Sequence, residues 1–267
     1  MLLRACDDAV LCIGQPAHAW VSGQLARAWR GVEPSEEVCL AAAQHDIGMA
    51  AWDADPELNR STGRPYGFTE MPLETHLRLW TRAPALALAQ GRYVALLVSM
   101  HGTALYEMRD LDRMAEDDAR AVRDFLDGQR ALQGKLRDSL GIGEEEARRN
   151  QRLMWTWDFL SLALCLEWAP TGIDDVPIGE GHAERLELRA VEHERLELSA
   201  DDREPLGART RRSAYILEPW PFAHDRVTLR CEGRLLRERF EDEQRMRAAL
   251  AEAPWVTLEW LLQSGLP

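Results

Sequence analysis

The chain has 267 residues, 46% of them hydrophobic and 29% charged, which supplies a full core and excludes a disordered or fibrous protein. Its 32 basic residues stand against 45 acidic ones, a formal charge of -13 that repels a phosphate backbone and argues against nucleic-acid or anionic-membrane partners. Lys135 is the only lysine, so Schiff-base and lysine-based phosphate chemistry is nearly excluded, and a small-molecule substrate is the partner the composition favours.

At the start of the chain, Arg4, Asp7 and Asp8 fall where a signal peptide would need an apolar stretch. No later window approaches the ~18 uncharged apolar residues of a membrane span. Cys6, Cys12, Cys39, Cys165 and Cys231 form no Cys-x-x-Cys pair and suit free thiols in a reducing compartment, so the cytoplasm is the expected location. From about residue 16 to 168 apolar residues recur at helical spacing, interrupted by turn-rich stretches at 31–34, 53–72 and 141–143. The mixed charges of 109–138, with Leu111, Met114, Val122, Phe125 and Leu132 among them, describe solvated amphipathic helices. A breaker cluster at 170–179 follows, and after it Leu186, Leu188, Ala190, Leu196 and Leu198 alternate with period two. Strand-like runs at 213–217, 227–231 and 255–260 are interrupted by a charged helical stretch at 241–252. The expected class is therefore α+β: an all-α bundle over residues 1–175, then a small antiparallel β unit with one helix over 176–267.

Four of the seven histidines, His18, His45, His76 and His101, lie in the helical part. His18 shares a face with Val21, Leu25 and Trp29, and His45 with Val38, Ala41 and Ala42. His76 sits with Leu73 and Trp80, and His101 with Val94, Leu97, Leu105 and Met108. Asp46 follows His45 directly, and Asp158 projects from the apolar run 154–165, where a lone carboxylate would be costly to bury. A single inward histidine is commonly a hydrogen-bonded core residue. Four of them with two carboxylates are most simply satisfied by cations, and six donors exceed what one tetrahedral zinc uses. Two divalent transition-metal ions, iron or manganese, are the expected cofactor. His182, His193 and His224 have no spaced partners and take no metal role.

The order His18, His45-Asp46, His76, His101, Asp158 resembles the HD-domain superfamily, a helical fold named for its adjacent His-Asp pair. The text of residues 44–53 and 99–103 is similar to a bacterial HD-like family known only as a domain of unknown function. The resemblance implies an HD-type helical bundle in which Asp46 bridges two ions. His18, His45 and Asp158 would hold one, and His76 and His101 the other. Asp46 and His45 are then the residues on which the chemistry centres. Most members of the superfamily are phosphohydrolases that attack phosphorus with a metal-activated water. A smaller branch uses the same ligand set for a mixed-valent di-iron centre that activates oxygen. Where many members carry a lysine, three residues after the Asp, this chain has Met49. Arg60, Arg64 and Tyr66, in the glycine- and proline-rich loop 53–72, are the candidates to grip substrate in its place. Asp53 is either a helix cap or an outer acceptor for a ligand histidine.

The expected function is a dinuclear-metal phosphohydrolase acting on a small phosphate ester or nucleotide. The alternatives are a di-iron oxygenase of a small polar molecule and a non-catalytic metal-dependent sensor or scaffold.

Overall fold

Two short runs ahead of the first helix, Leu2–Cys6 and Ala9–Ile13, are strands β1 and β2, paired as a hairpin. The computed structural model describes residues 1–6, 8–179, 182–191 and 209–265; His193, Leu196 and Leu198 lie outside them. Helices α1 (Gln15–Ala28) and α2 (Glu36–Gln44) follow. Ser35 caps α2 by accepting from Val38 N, with Glu36 and Glu37 in the first turn where the helix dipole favours acid. A 3-10 turn at Ile47–Met49 leads into the short α3 (Ala50–Ala54), and the loop beyond folds as a small hairpin of β3 (Leu58–Asn59) and β4 (Arg64–Pro65). Then come α4 (Leu73–Leu88), α5 (Arg92–Glu107), α6 (Glu116–Leu140) and α7 (Glu144–Leu166). Gly141, at φ 67, closes α6 in the left-handed cap that glycine adopts without strain.

The second half supplies β5 (Thr171–Gly179), β6 (His182–Ala190), β7 (Arg209–Glu218), β8 (Arg226–Leu236), α8 (Glu243–Glu252) and β9 (Trp255–Gln263). These strands join β1 and β2 in one curled, seven-stranded half-barrel of order β1-β2-β8-β9-β7-β6-β5. All its pairings are antiparallel except β7 with β9, which run parallel.

The expectation of an all-α bundle followed by a small antiparallel β unit is therefore corrected: the architecture is mixed α/β around a large mixed sheet. The sheet draws on both ends of the chain, since Val10 to Ile13 pair with Leu236 to Gly233. The physical reason lies in β2, all five of whose residues are buried. Leu11 and Ile13 face the main core, while Val10 and Cys12 face a second cluster with Leu236 and Leu250 beneath α8. A strand covered on both sides shows no polar alternation, so its periodicity is silent. The breaker cluster at 170–179 is likewise a strand: β5 absorbs it through register shifts, with Asp175 at φ 56. By contrast β9 alternates as its sequence suggests, with Val256, Leu258, Trp260 and Leu262 inward.

Helices α1 and α7 lie on the sheet, α1 against β8 and α7 against β1 and β5, while α2 and α5 pack on them from outside. A middle layer covered on two sides has wide buried faces, and this is where polar residues become buried with the rest. No helix among the described residues is long and apolar enough to cross a membrane.

Candidate metal centre

The middle layer contributes His18 from α1 and Asp158 from α7, and the outer helices contribute the rest. His45 is the residue that closes α2, Asp46 follows it at φ -98 and ψ 19, and His101 comes from α5. Close helix packing brings them together. A Cβ on Gly23 of α1 would lie 2.5 Å from Cβ of Ala43 on α2, and one on Gly102 of α5 would lie 2.7 Å from the Trp80 ring on α4. Only glycine permits either approach.

The five side chains are all buried. His18 Nε2 is 2.6 Å from Asp46 Oδ2, and His18 Nδ1 is 3.7 Å from Asp158 Oδ1. His45 Nε2 is 3.2 Å from Asp158 Oδ1 and 3.6 Å from Asp46 Oδ2, and His101 Nε2 is 3.6 Å from Asp158 Oδ2. Two triads have all their donor atoms within 4.8 Å of one another: His18, His45 and Asp158, and His45, Asp46 and His101. Donors held about 2.1 Å from one ion stand about 3.0 Å apart at right angles and about 4.2 Å apart across it, so the spread suits one coordination sphere.

Of the cluster, His45 is the side chain best prepared to meet a cation. Its Nδ1 is bonded to the Ala42 carbonyl at 2.8 Å, which aims Nε2 into the cluster. There Nε2 is buried and lies near both carboxylates, yet is aligned with neither for a hydrogen bond. His101 Nδ1 is also buried without a hydrogen-bond partner. Two carboxylates in so dry a place need positive charge. Burial opposes charging His45, but Asp46 and then Asp158 overcome it and lift its pKa to about 9. Burial also opposes ionisation of Asp46, and the neighbouring imidazoles, His45 foremost, hold it well below the usual carboxylate range. Asp158 is lowered in the same way. Burial, helped by the charge on His45, lowers His101 to about 4. A divalent ion would replace the imidazolium as the balance for the two acids, and imidazole with carboxylate is a donor set suited to manganese, iron or zinc.

His76 is not brought into this group. The Trp80 indole donates to its Nε2 at 3.0 Å, and its Nδ1 is bonded to the Tyr106 hydroxyl, so both ring nitrogens are engaged. Burial, and then Arg109, lower it to about 4. The structure thus gathers five of the six expected ligands. Arg60, Arg64 and Tyr66 lie on the β3–β4 hairpin or just after it. That hairpin is docked on the segment after β8, where Phe240 N donates to Gly63 O at 2.7 Å. Arg60 is exposed, while Tyr66 packs half-buried against the main core. Asp53 accepts from Gln15 N, capping α1 from a distant helix rather than touching a ligand histidine. Sequence reasoning missed Trp80 and Trp155, whose rings flank His101 at 5.6 and 5.7 Å. It also missed Ser22 and Ser161. The signal was present in their spacing, since Trp155 and Ser161 are three residues either side of Asp158 and Ser22 is four beyond His18.

Against known families, residues 1–238 match the model described as "Protein of unknown function (DUF3891)". No curated protein and no solved structure matches the chain.

Proposed function

The chain belongs to the DUF3891 family, and because that description carries no chemistry we propose from the centre itself that it is a metal-dependent hydrolase of a small phosphate ester or nucleotide. The ligand order His, His-Asp, His, Asp along four helices resembles HD-domain phosphohydrolases and supports that class. The observation that carries the reading is His45 Nε2, buried between two carboxylates at 3.2 and 3.6 Å. His18, His45, Asp46 and Asp158 would hold one ion, with His101 completing its sphere. A second ion would require His76 to leave Trp80 and Tyr106.

A divalent ion held there would polarise a phosphoryl oxygen and lower the pKa of a bound water. The chain supplies the rest. The Ala42 carbonyl fixes the His45 ring, so its Nε2 needs no reorientation on binding. Trp80 and Trp155 pack on His101 and keep bulk water from it, which strengthens the charge interactions around it. Asp46 and Asp158 remain ionised as ligands throughout the neutral range.

The test is metal analysis of protein purified without added metals, followed by phosphate release from a panel of nucleotides and sugar phosphates with manganese. Bound metal with phosphate release that disappears in Asp158→Asn supports the proposal. Two irons per chain with an oxygen-sensitive mixed-valent resonance would replace it with the oxygenase. Metal without turnover of either kind would point to a sensor.

A further inference from the structure

His18 is held from behind by two serines that no ligand pattern would select. Ser161 of α7 and Ser22 of α1 are fully buried. Ser161 Oγ lies 2.9 Å from His18 Nδ1 and 2.8 Å from the Asp158 carbonyl oxygen. Ser22 Oγ lies 3.0 Å from Ser161 Oγ and 3.3 Å from the Trp157 carbonyl. A hydroxyl has one proton and two lone pairs, so Ser161 can donate to only one of its two acceptors at a time.

Both choices make chemical sense. With the proton aimed at His18 Nδ1, the imidazole carries its own hydrogen on Nε2 and donates it to Asp46 Oδ2, 2.6 Å away. With the proton aimed at the Asp158 carbonyl, Ser161 Oγ accepts from Nδ1–H, and Nε2 turns a lone pair toward the cluster. The first arrangement suits the ion-free protein. The second is the one a metal ligand requires. Ser22 can donate to Ser161 Oγ in the second arrangement or turn to the Trp157 carbonyl in the first, so every group keeps a partner.

We infer that Ser161, supported by Ser22, is a positioning residue that matches both tautomers of His18: as the ligand converts from hydrogen-bond donor to metal donor, Nε2 releases its proton, Nδ1 takes one up, and the Ser161 hydroxyl turns from donating to Nδ1 to accepting from it. The inference rests on the metal reading above. It extends it by giving His18 a partner in each state at unchanged charge, which removes the penalty of an unbonded buried nitrogen from either. It also ties His18 to the turn of α7 that carries Asp158, so two ligands from separate helices move together.

The test uses the full chain with Zn2+ as probe, comparing wild type with Ser161→Ala. Zinc affinity is expected to fall about 10- to 100-fold in Ser161→Ala, the usual effect of removing an outer-shell partner. Nitrogen-15 spectra of the histidine rings give a readout that packing alone would not move. In the ion-free wild type the His18 Nδ1 resonance should be that of a hydrogen-bond acceptor, and with zinc that of a protonated nitrogen. In Ser161→Ala the ion-free Nδ1 resonance should shift to that of an unbonded nitrogen. Should Ser161→Ala not fold, the wild-type Nδ1 resonance without and with zinc decides by itself, since it must change from acceptor to protonated nitrogen. A folded variant with zinc affinity within about twofold of wild type and an unmoved Nδ1 resonance overturns the inference. Failure of the wild type to bind zinc would instead overturn the metal reading, and the ion-free Nδ1 resonance would still judge the contact with Ser161.

Discussion

Nε2 of His18 and Oδ2 of Asp46 stand 2.6 Å apart although 28 residues separate them in the chain. They meet because α1 and α2 cross with Gly23 packed directly against Ala43. The candidate centre thus depends on a residue that has no side chain to contribute.

Replacing Gly23 by alanine puts a Cβ 2.5 Å from that of Ala43, so the helices must separate. Overpacking of this kind costs about 1–3 kcal/mol. The expected outcome is a lower melting temperature together with weaker zinc binding, because His18 moves away from Asp46. Unchanged zinc affinity would show that the crossing does not set the ligand distance.

Asp158 and His76 should separate cleanly when each is changed to alanine. Asp158 approaches all three clustered histidines, so its loss should reduce ion affinity by more than about 100-fold, beyond what an outer partner contributes. His76→Ala leaves the Trp80 indole and the Tyr106 hydroxyl unpaired and should cost roughly 1–3 kcal/mol in stability while leaving ion stoichiometry at its wild-type value. Denaturant unfolding and elemental analysis of both variants check this. Halved stoichiometry in His76→Ala would reinstate a second ion.

The ion-free protein should be most stable near pH 6.5. His45 has its pKa raised from 6.5 to about 9, so the folded state holds that proton more tightly than the unfolded one. Its stabilising contribution is complete below about 6.5 and is lost as pH rises through about 9. His76 and His101 are lowered to about 4, so the folded state holds their protons less tightly. Their contributions are complete above about 6.5 and are lost as pH falls toward 4. Melting of chelator-treated protein across this range measures both limbs, and a flat alkaline limb would contradict the assignment to His45. Calorimetric titration with zinc at pH 7, in buffers of different ionisation heat, should show about one proton released per ion as His45 gives up its own.

How far the sequence could be read depended on how many sides of an element face solvent. Alternating strands such as β9 and the amphipathic helices announce themselves, because one face is wet. β2 does not, since the main core covers one face and the α8 cluster the other. The same limit governs the centre. An inward stripe told that His18, His45, His101 and Asp158 point to a core, and they converge. It told the same of His76, which also points inward and finds Trp80 and Tyr106 instead. A stripe gives direction without destination, and destination depends on which helices cross.

Severing the chain near residue 175 offers a direct measure of how the two halves depend on each other. Fragments 1–175 and 176–267 would divide β5 between them and each expose a bare strand edge, β2 in the first and β8 in the second. Expressed alone, each is expected to be insoluble or unfolded, and mixing them during refolding should restore ion binding. A monomeric 1–175 fragment with a cooperative melt would show that the pairing is dispensable.

That same pairing sets a timetable for the newborn protein. The partner of β2, β8, is translated about 200 residues after it, which at ~5–20 residues per second is a wait of roughly 10 to 40 seconds. Throughout it, helices already bearing every candidate ligand have no sheet to rest on, and their apolar undersides are open to whatever the cell provides. A holdase that shelters nascent chains should therefore raise the yield of this protein more than that of a helical bundle of equal length, whose contacts are local.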